Sequence, residues 1–168
     1  MSREDARRGA QTVIERRYRA SLADVWDLWT TKDGFESWWG PQGFRTEVHE
    51  LDARAGGALN YDMIADTPEM VAAMKEMGQP TSHPTHSRFT VVEPRSRLVL
   101  TNVIDFLPGV ATYESRIEAV FTEEGESVRM VLTLDALHDA EWTQRQLEGM
   151  SSQLTKLDER FGSAEHAG

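Results

Sequence analysis

A chain of 168 residues with no cysteine and a formal net charge of -10 is long enough to bury one core without disulfides, and it excludes thiolate metal sites and cysteine nucleophiles. The acidic balance argues against nucleic-acid binding, because nucleic-acid binders carry a basic face that releases counterions. No apolar run approaches the roughly 20 residues of a membrane helix and the charged start Met1 to Arg8 has no apolar follow-on, so a cytoplasmic protein without membrane insertion is expected.

Taken in order, Thr12 to Ala20 reads as an opening strand, rich in β-branched, aromatic and long side chains. Ser21 and Asp24 then start a helix whose apolar stripe is Val25, Trp26, Leu28 and Trp29. Thr31 to Gly40 predicts a second short helix, ending at Trp38-Trp39 before Gly40-Pro41. Strands follow at Phe44–Leu51 and Ala58–Ile64, divided by Gly56-Gly57. Thr67-Pro68-Glu69 and Gly78 bracket an inserted helix near 68–77, striped with Met70, Val71, Met74 and Met77. That stripe is either a lid or a contact surface, and the expectation is a homodimer.

Further strands are expected at His86–Val92 and Arg97–Phe106, then at Tyr113–Phe121 and Val128–Leu134 as a hairpin turning at Glu123 to Glu126. In the last strand Val128, Met130, Leu132 and Leu134 alternate with polar or outward positions, so one face is core. A helix from Asp139 to Phe161 carries Trp142, Leu147, Met150, Leu154, Leu157 and Phe161 on one side. At 1.5 Å per residue its length of about 34 Å crosses a whole sheet. The fold class is therefore α+β: a curved antiparallel sheet of about six to seven strands gripping a long C-terminal helix. Residues 12–161 form the single domain, with 1–11 and 162–168 as flexible termini.

The order of elements, with Ala23-Asp24-Val25-Trp26-Asp27-Leu28-Trp29, Phe35, Trp38-Trp39-Gly40-Pro41, Ala55-Gly56-Gly57-Ala58-Leu59 and the segment Val92 to Thr101, resembles the SRPBCC or START-like superfamily. More narrowly it resembles the activator of heat-shock protein 90 ATPase homologue family. The resemblance implies a helix-grip fold, a cavity between sheet and helix, and a link to the stress response. Gly149-Met150 stands where the family often has Gly-Trp, and the inserted helix is longer than the family's usual hairpin.

Candidate sites are few. His83 and His86 have a spacing open to a metal, but Pro84 makes the segment extended, so they read as loop histidines, with His86 near a cavity mouth. Trp26 and Trp29 are assigned to core and Trp39 to the cavity border. Arg16 alternates with Ile14 and Tyr18 toward the concave side, where it would need a partner such as Glu114, Glu118 or a ligand carboxylate, or else is simply exposed at the sheet edge. Asp105 and Tyr113 flank a loop that could close over a cavity, where either would suit proton transfer if desolvated, although loop aspartates are usually turn formers. Flexible Met63, Met130 and Met150 face the gap between sheet and helix. With Tyr61, His86, Phe106 and Tyr113 added, these residues and Trp39 are the cavity candidates. No nucleophile elbow, phosphate loop or dinucleotide fingerprint is present, and neither catalytic residues, metal nor cofactor is assigned. The leading expectation is a small apolar or amphipathic ligand. A chaperone ATPase partner, or a cyclase- or hydrolase-type reaction in the same cavity, are the alternatives.

Overall fold

The protein is described by a computed structural model covering residues 11–104 and 109–161. β1 (Gln11–Tyr18) leads into α1 (Leu22–Thr30) and α2 (Lys32–Glu36). Then come β2 (Phe44–Leu51), β3 (Ala58–Ala65), α3 (Pro68–Glu76) and β4 (Ser82–Glu93). The chain continues through β5 (Arg97–Ile104), β6 (Tyr113–Glu124), β7 (Ser127–Asp135) and α4 (Ala140–Phe161). The strands form one seven-stranded antiparallel sheet in the order β1-β7-β6-β5-β4-β3-β2, so β1 and β2 are its edges. This is the expected helix-grip architecture.

Local chemistry sets the helix starts. Ser21, Thr31 and Thr67 each accept a backbone N–H from three residues ahead, at 3.1, 3.0 and 3.1 Å, so the caps read from sequence at Ser21 and Thr67 form as expected and Thr31 caps α2 in the same way. α2 is shorter than the predicted 31–40: it stops at Glu36, and Trp38 and Trp39 lie in the turn leading to Gly40, which has φ +106°. That turn aims both indoles inward. Trp38 donates to the Leu28 carbonyl at 2.9 Å and Trp39 to the Tyr61 hydroxyl at 3.0 Å.

β4 begins at Ser82, ahead of the expected His86, and runs through His83 and Pro84. Pro84 lies opposite Asp62 of β3, whereas the described pairing with β5 begins at Ser87 and Asn102. A proline without N–H is tolerated where only one neighbour needs a ladder bond.

Alternation divides the sheet. Tyr18, Leu59, Phe89, Leu98, Ala119, Val128, Met130 and Leu132 face the helix side and are fully buried. The outer face carries a lattice of ion pairs, Arg97–Glu118, Arg88–Glu114, Arg129–Glu15 and Arg116–Asp135. Trp29 packs edge-on against Trp38 and Trp39, and Phe35 stacks on Trp39 at 4.7 Å between centroids. Burying a large apolar side chain of this kind contributes about 2 to 3 kcal/mol. Trp26 is only half-buried, meeting Phe121 edge-on at 5.5 Å.

The methionine stripe of α3 is largely covered by its own chain. Met74 is buried, and Met70 lies so near the backbone that a Cβ on Gly43 would meet its Cε at 2.9 Å. Met77 is left exposed. The apolar area that argued for a two-fold contact is thus much smaller than the sequence suggested, because α3 folds back against the loop before β2.

Candidate functional site

α4 does not cover the sheet evenly. Its buried residues are Met150 at the midpoint and Gln153, Leu154 and Leu157 in the C-terminal half, while Trp142, Gln146 and Leu147 are half-buried. The C-terminal half is pinned by the loop between α2 and β2. Gly40 N–H donates to Gln153 Oε1 at 3.0 Å, Gln42 N–H to Ser152 Oγ at 2.9 Å, and Lys156 Nζ to the Gly40 and Phe44 carbonyls at 2.7 and 3.2 Å. Burial lowers the Lys156 pKa, with the nearby Asp66 charge opposing.

Beneath the other half, the inner face changes character. Met63, His83, Thr85, Asn102 and Ile104 face the helix side but are only half-buried. A polar row crosses three strands there: Ser87 pairs directly with Asn102, and Asn102 with Ser115. Ser87 Oγ donates to Asn102 Oδ1. Ser115 is 1% exposed, and its Oγ has no hydrogen-bond partner among the described residues. Such a stranded hydroxyl costs roughly 1 to 3 kcal/mol unless something occupies the space beside it.

Tyr113 lies on the same face at the start of β6, and the β7–α4 connection holds it. Its hydroxyl is 2.9 Å from His138 Nδ1 and accepts the His138 N–H at 3.1 Å. Tyr61, buried one strand pair away beside Thr85, has its hydroxyl pKa pushed up to about 12 by burial, against hydrogen bonds from Trp39 and Thr85 that lower it.

Tyr61 is buried in the aromatic cluster with Phe35 and Trp39, while the structure places Met63 and Tyr113 on the inner face at this half-covered end. Met150 sits at its boundary, buried, with Sδ 3.2 Å from Gln153 Nε2. Trp39 is enclosed by the aromatic cluster around Phe35. Met130 is fully buried at the closed end, opposite Phe121. His86 lies on the outer face, 3.1 Å from Asn60, because Thr85, Ser87 and Phe89 take the inner one. His83 and His86 therefore point to opposite sides and cannot share an ion. Asp105 and Phe106 lie outside the described residues. Arg16 does turn toward the helix side, but its partner is Asp158 of α4 at 3.6 Å, not Glu114 or Glu118. Sequence reasoning missed Ser87, Asn102, Ser115 and His138. Alternation with Phe89 and with Ile117 was the available signal for the two serines.

Residues 19–162 match the profile of the family described as Activator of Hsp90 ATPase homolog 1-like protein. The chain belongs to this family. Its fold is shared with solved structures of low identity. A protein from Chromobacterium violaceum is 18% identical, with TM-score 0.72 over 90% of this chain and 96% of its own. The AHSA1 protein from Silicibacter pomeroyi is 22% identical, with TM-score 0.68 and coverages of 90% and 96%. A protein from Arthrobacter aurescens is 18% identical, with TM-score 0.71 and coverages of 90% and 86%. A search of the curated proteins found no match.

Proposed function

We propose that this family member binds a small apolar or amphipathic molecule against the inner face of β3–β6, under the N-terminal half of α4. The supporting observation is the burial gradient: one helix covers one end of the inner face completely and leaves the other, lined by Met63, Asn102 and Ile104, half-covered. A surface that is apolar with a few convergent polar groups is the usual makeup of a ligand site. The reading invokes no metal, cofactor or redox step.

The test is a titration with the neutral dye N-phenyl-1-naphthylamine, combined with native mass spectrometry of freshly purified protein. Saturable fluorescence enhancement at about one dye per chain, or a retained small molecule, supports the reading. A linear, non-saturating response with a bare protein mass would remove it. Stimulation of an Hsp90-type ATPase in that circumstance would favour an interaction role.

A further inference from the structure

We infer that Asn102 and Ser115 form a two-point anchor for a neutral oxygen acceptor, a carbonyl group, on an otherwise apolar ligand. The inference rests on the ligand-binding reading and adds to it what the ligand must present.

The two residues are direct cross-strand partners on the inner face, which places their Cβ atoms about 5 Å apart. Asn102 uses Oδ1 to accept from Ser87, so its amide nitrogen, with two hydrogens, is turned to the other side. Ser115 supplies the buried hydroxyl that has no partner among the described residues. Ser87 thus sets the orientation of the Asn102 amide, and the donors left over stand at directly paired positions of adjacent strands. A carbonyl oxygen has two lone pairs and accepts from both.

Charge decides between a carbonyl and a carboxylate. Of the cations on the helix side, Arg16 is held beside Asp158, and Lys156 donates to the Gly40 and Phe44 carbonyls. Neither is on the strands that carry the anchor. Arg88, Arg97 and Arg116 of β4–β6 lie in ion pairs on the outer face, and His138 is engaged by the Tyr113 hydroxyl and Asp139. A carboxylate would therefore enter a half-buried site with no fixed cation facing it, whereas a neutral carbonyl meets two neutral donors at far lower desolvation cost. The apolar remainder of the ligand has Met63 and Ile104 as half-buried neighbours on the same face.

The experiment compares three probes of nearly equal shape by isothermal titration calorimetry: 2-acetylnaphthalene, 2-isopropenylnaphthalene, which replaces C=O by C=CH2, and 2-naphthoate. Wild-type protein is expected to bind the ketone about tenfold more tightly than the alkene, the effect of one to two net hydrogen bonds. The naphthoate is expected to bind more weakly than the ketone. Ser115→Ala should bring ketone and alkene to within about twofold of each other while leaving the alkene unchanged. Infrared spectra should show the bound ketone stretch shifted to lower frequency in wild type and less so in Ser115→Ala. Equal binding of ketone and alkene to wild type, or tighter binding of the naphthoate, overturns the anchor while the ligand site stands. Binding of none of the three overturns both.

Discussion

Tyr18 in the first strand donates its hydroxyl hydrogen to Asp158 in the last helix at 3.0 Å. The tyrosine is fully buried, and Arg16 Nε stands 3.6 Å from the same carboxylate oxygen. Tyr18→Phe removes one hydrogen bond and leaves Asp158 its arginine, so about 1 kcal/mol of stability is lost. Asp158→Ala strands the buried hydroxyl and costs more, about 2 kcal/mol. Urea denaturation of the two variants checks the order. Equal costs would mean that the hydroxyl finds another partner.

The Gly56-Gly57 pair behaves as two different requirements. Gly56 has φ +86° with open space where a Cβ would go, whereas a Cβ on Gly57 would lie 1.9 Å from the Asp52 carbonyl oxygen. Gly56→Ala should cost about 1 to 2 kcal/mol for its left-handed backbone. Gly57→Ala forces the Asp52–Gly57 turn to move and should lower the melting temperature further than Gly56→Ala does.

Asp135 gives the acid limb of stability its sign. Burial alone would raise its pKa, but hydrogen bonds from Gln11 and Arg116 outweigh that and hold the carboxyl below its ordinary value. A carboxylate with a depressed folded pKa contributes stability that is fully present above the unfolded value, about 4, and is lost as pH falls through the folded one. Denaturation free energies should therefore drop between about pH 5 and pH 2, and Asp135→Asn should be less stable at pH 7 with a flatter acid limb. An unchanged acid limb in that variant would show that other carboxylates set it.

Trp39→Phe is expected to destabilise the fold by about 2 kcal/mol, since it removes indole area from the cluster with Phe35 and the hydrogen bond to Tyr61. Thermal unfolding measures this. A Trp39 at a cavity border, as the sequence suggests, would make the change cost less.

Met150→Trp fills a position that is already buried and whose sulfur already accepts from Gln153. Overpacking should cost about 1 to 3 kcal/mol, and the larger ring, at the boundary of the half-covered end, should weaken N-phenyl-1-naphthylamine binding. A stabilised variant that binds the dye normally would place the free volume elsewhere.

Strand and helix assignments were legible because burial has a period. Val128, Met130, Leu132 and Leu134 announced the inner face of β7 without any knowledge of their partners. His86 was misplaced because one residue of register decides the face, and the true start of β4 at Ser82 was hidden by Pro84. Ser115 was invisible for a different reason: a serine in a strand looks like a solvent-facing residue unless its apolar alternates, Ile117 and Phe121, are known to be buried. Partners remote in sequence, such as Gln153 for the Gly40 N–H across 113 residues, leave no local signal.

The pairing of β1 with β7 carries a consequence for how the chain is made. During vectorial synthesis β1 leaves the ribosome before the other described strands yet finds its sheet neighbour β7 last, and the inner faces of the strands stay bare until α4 emerges behind them. Non-local closure of this kind is slow and exposes apolar surface while it waits. Force-profile measurements on ribosome-bound chains should accordingly show little pulling force at lengths that end in β6, and a single late transition once α4 has cleared the tunnel. An early transition before β7 emerges would mean that β2–β6 close as a unit without their helix.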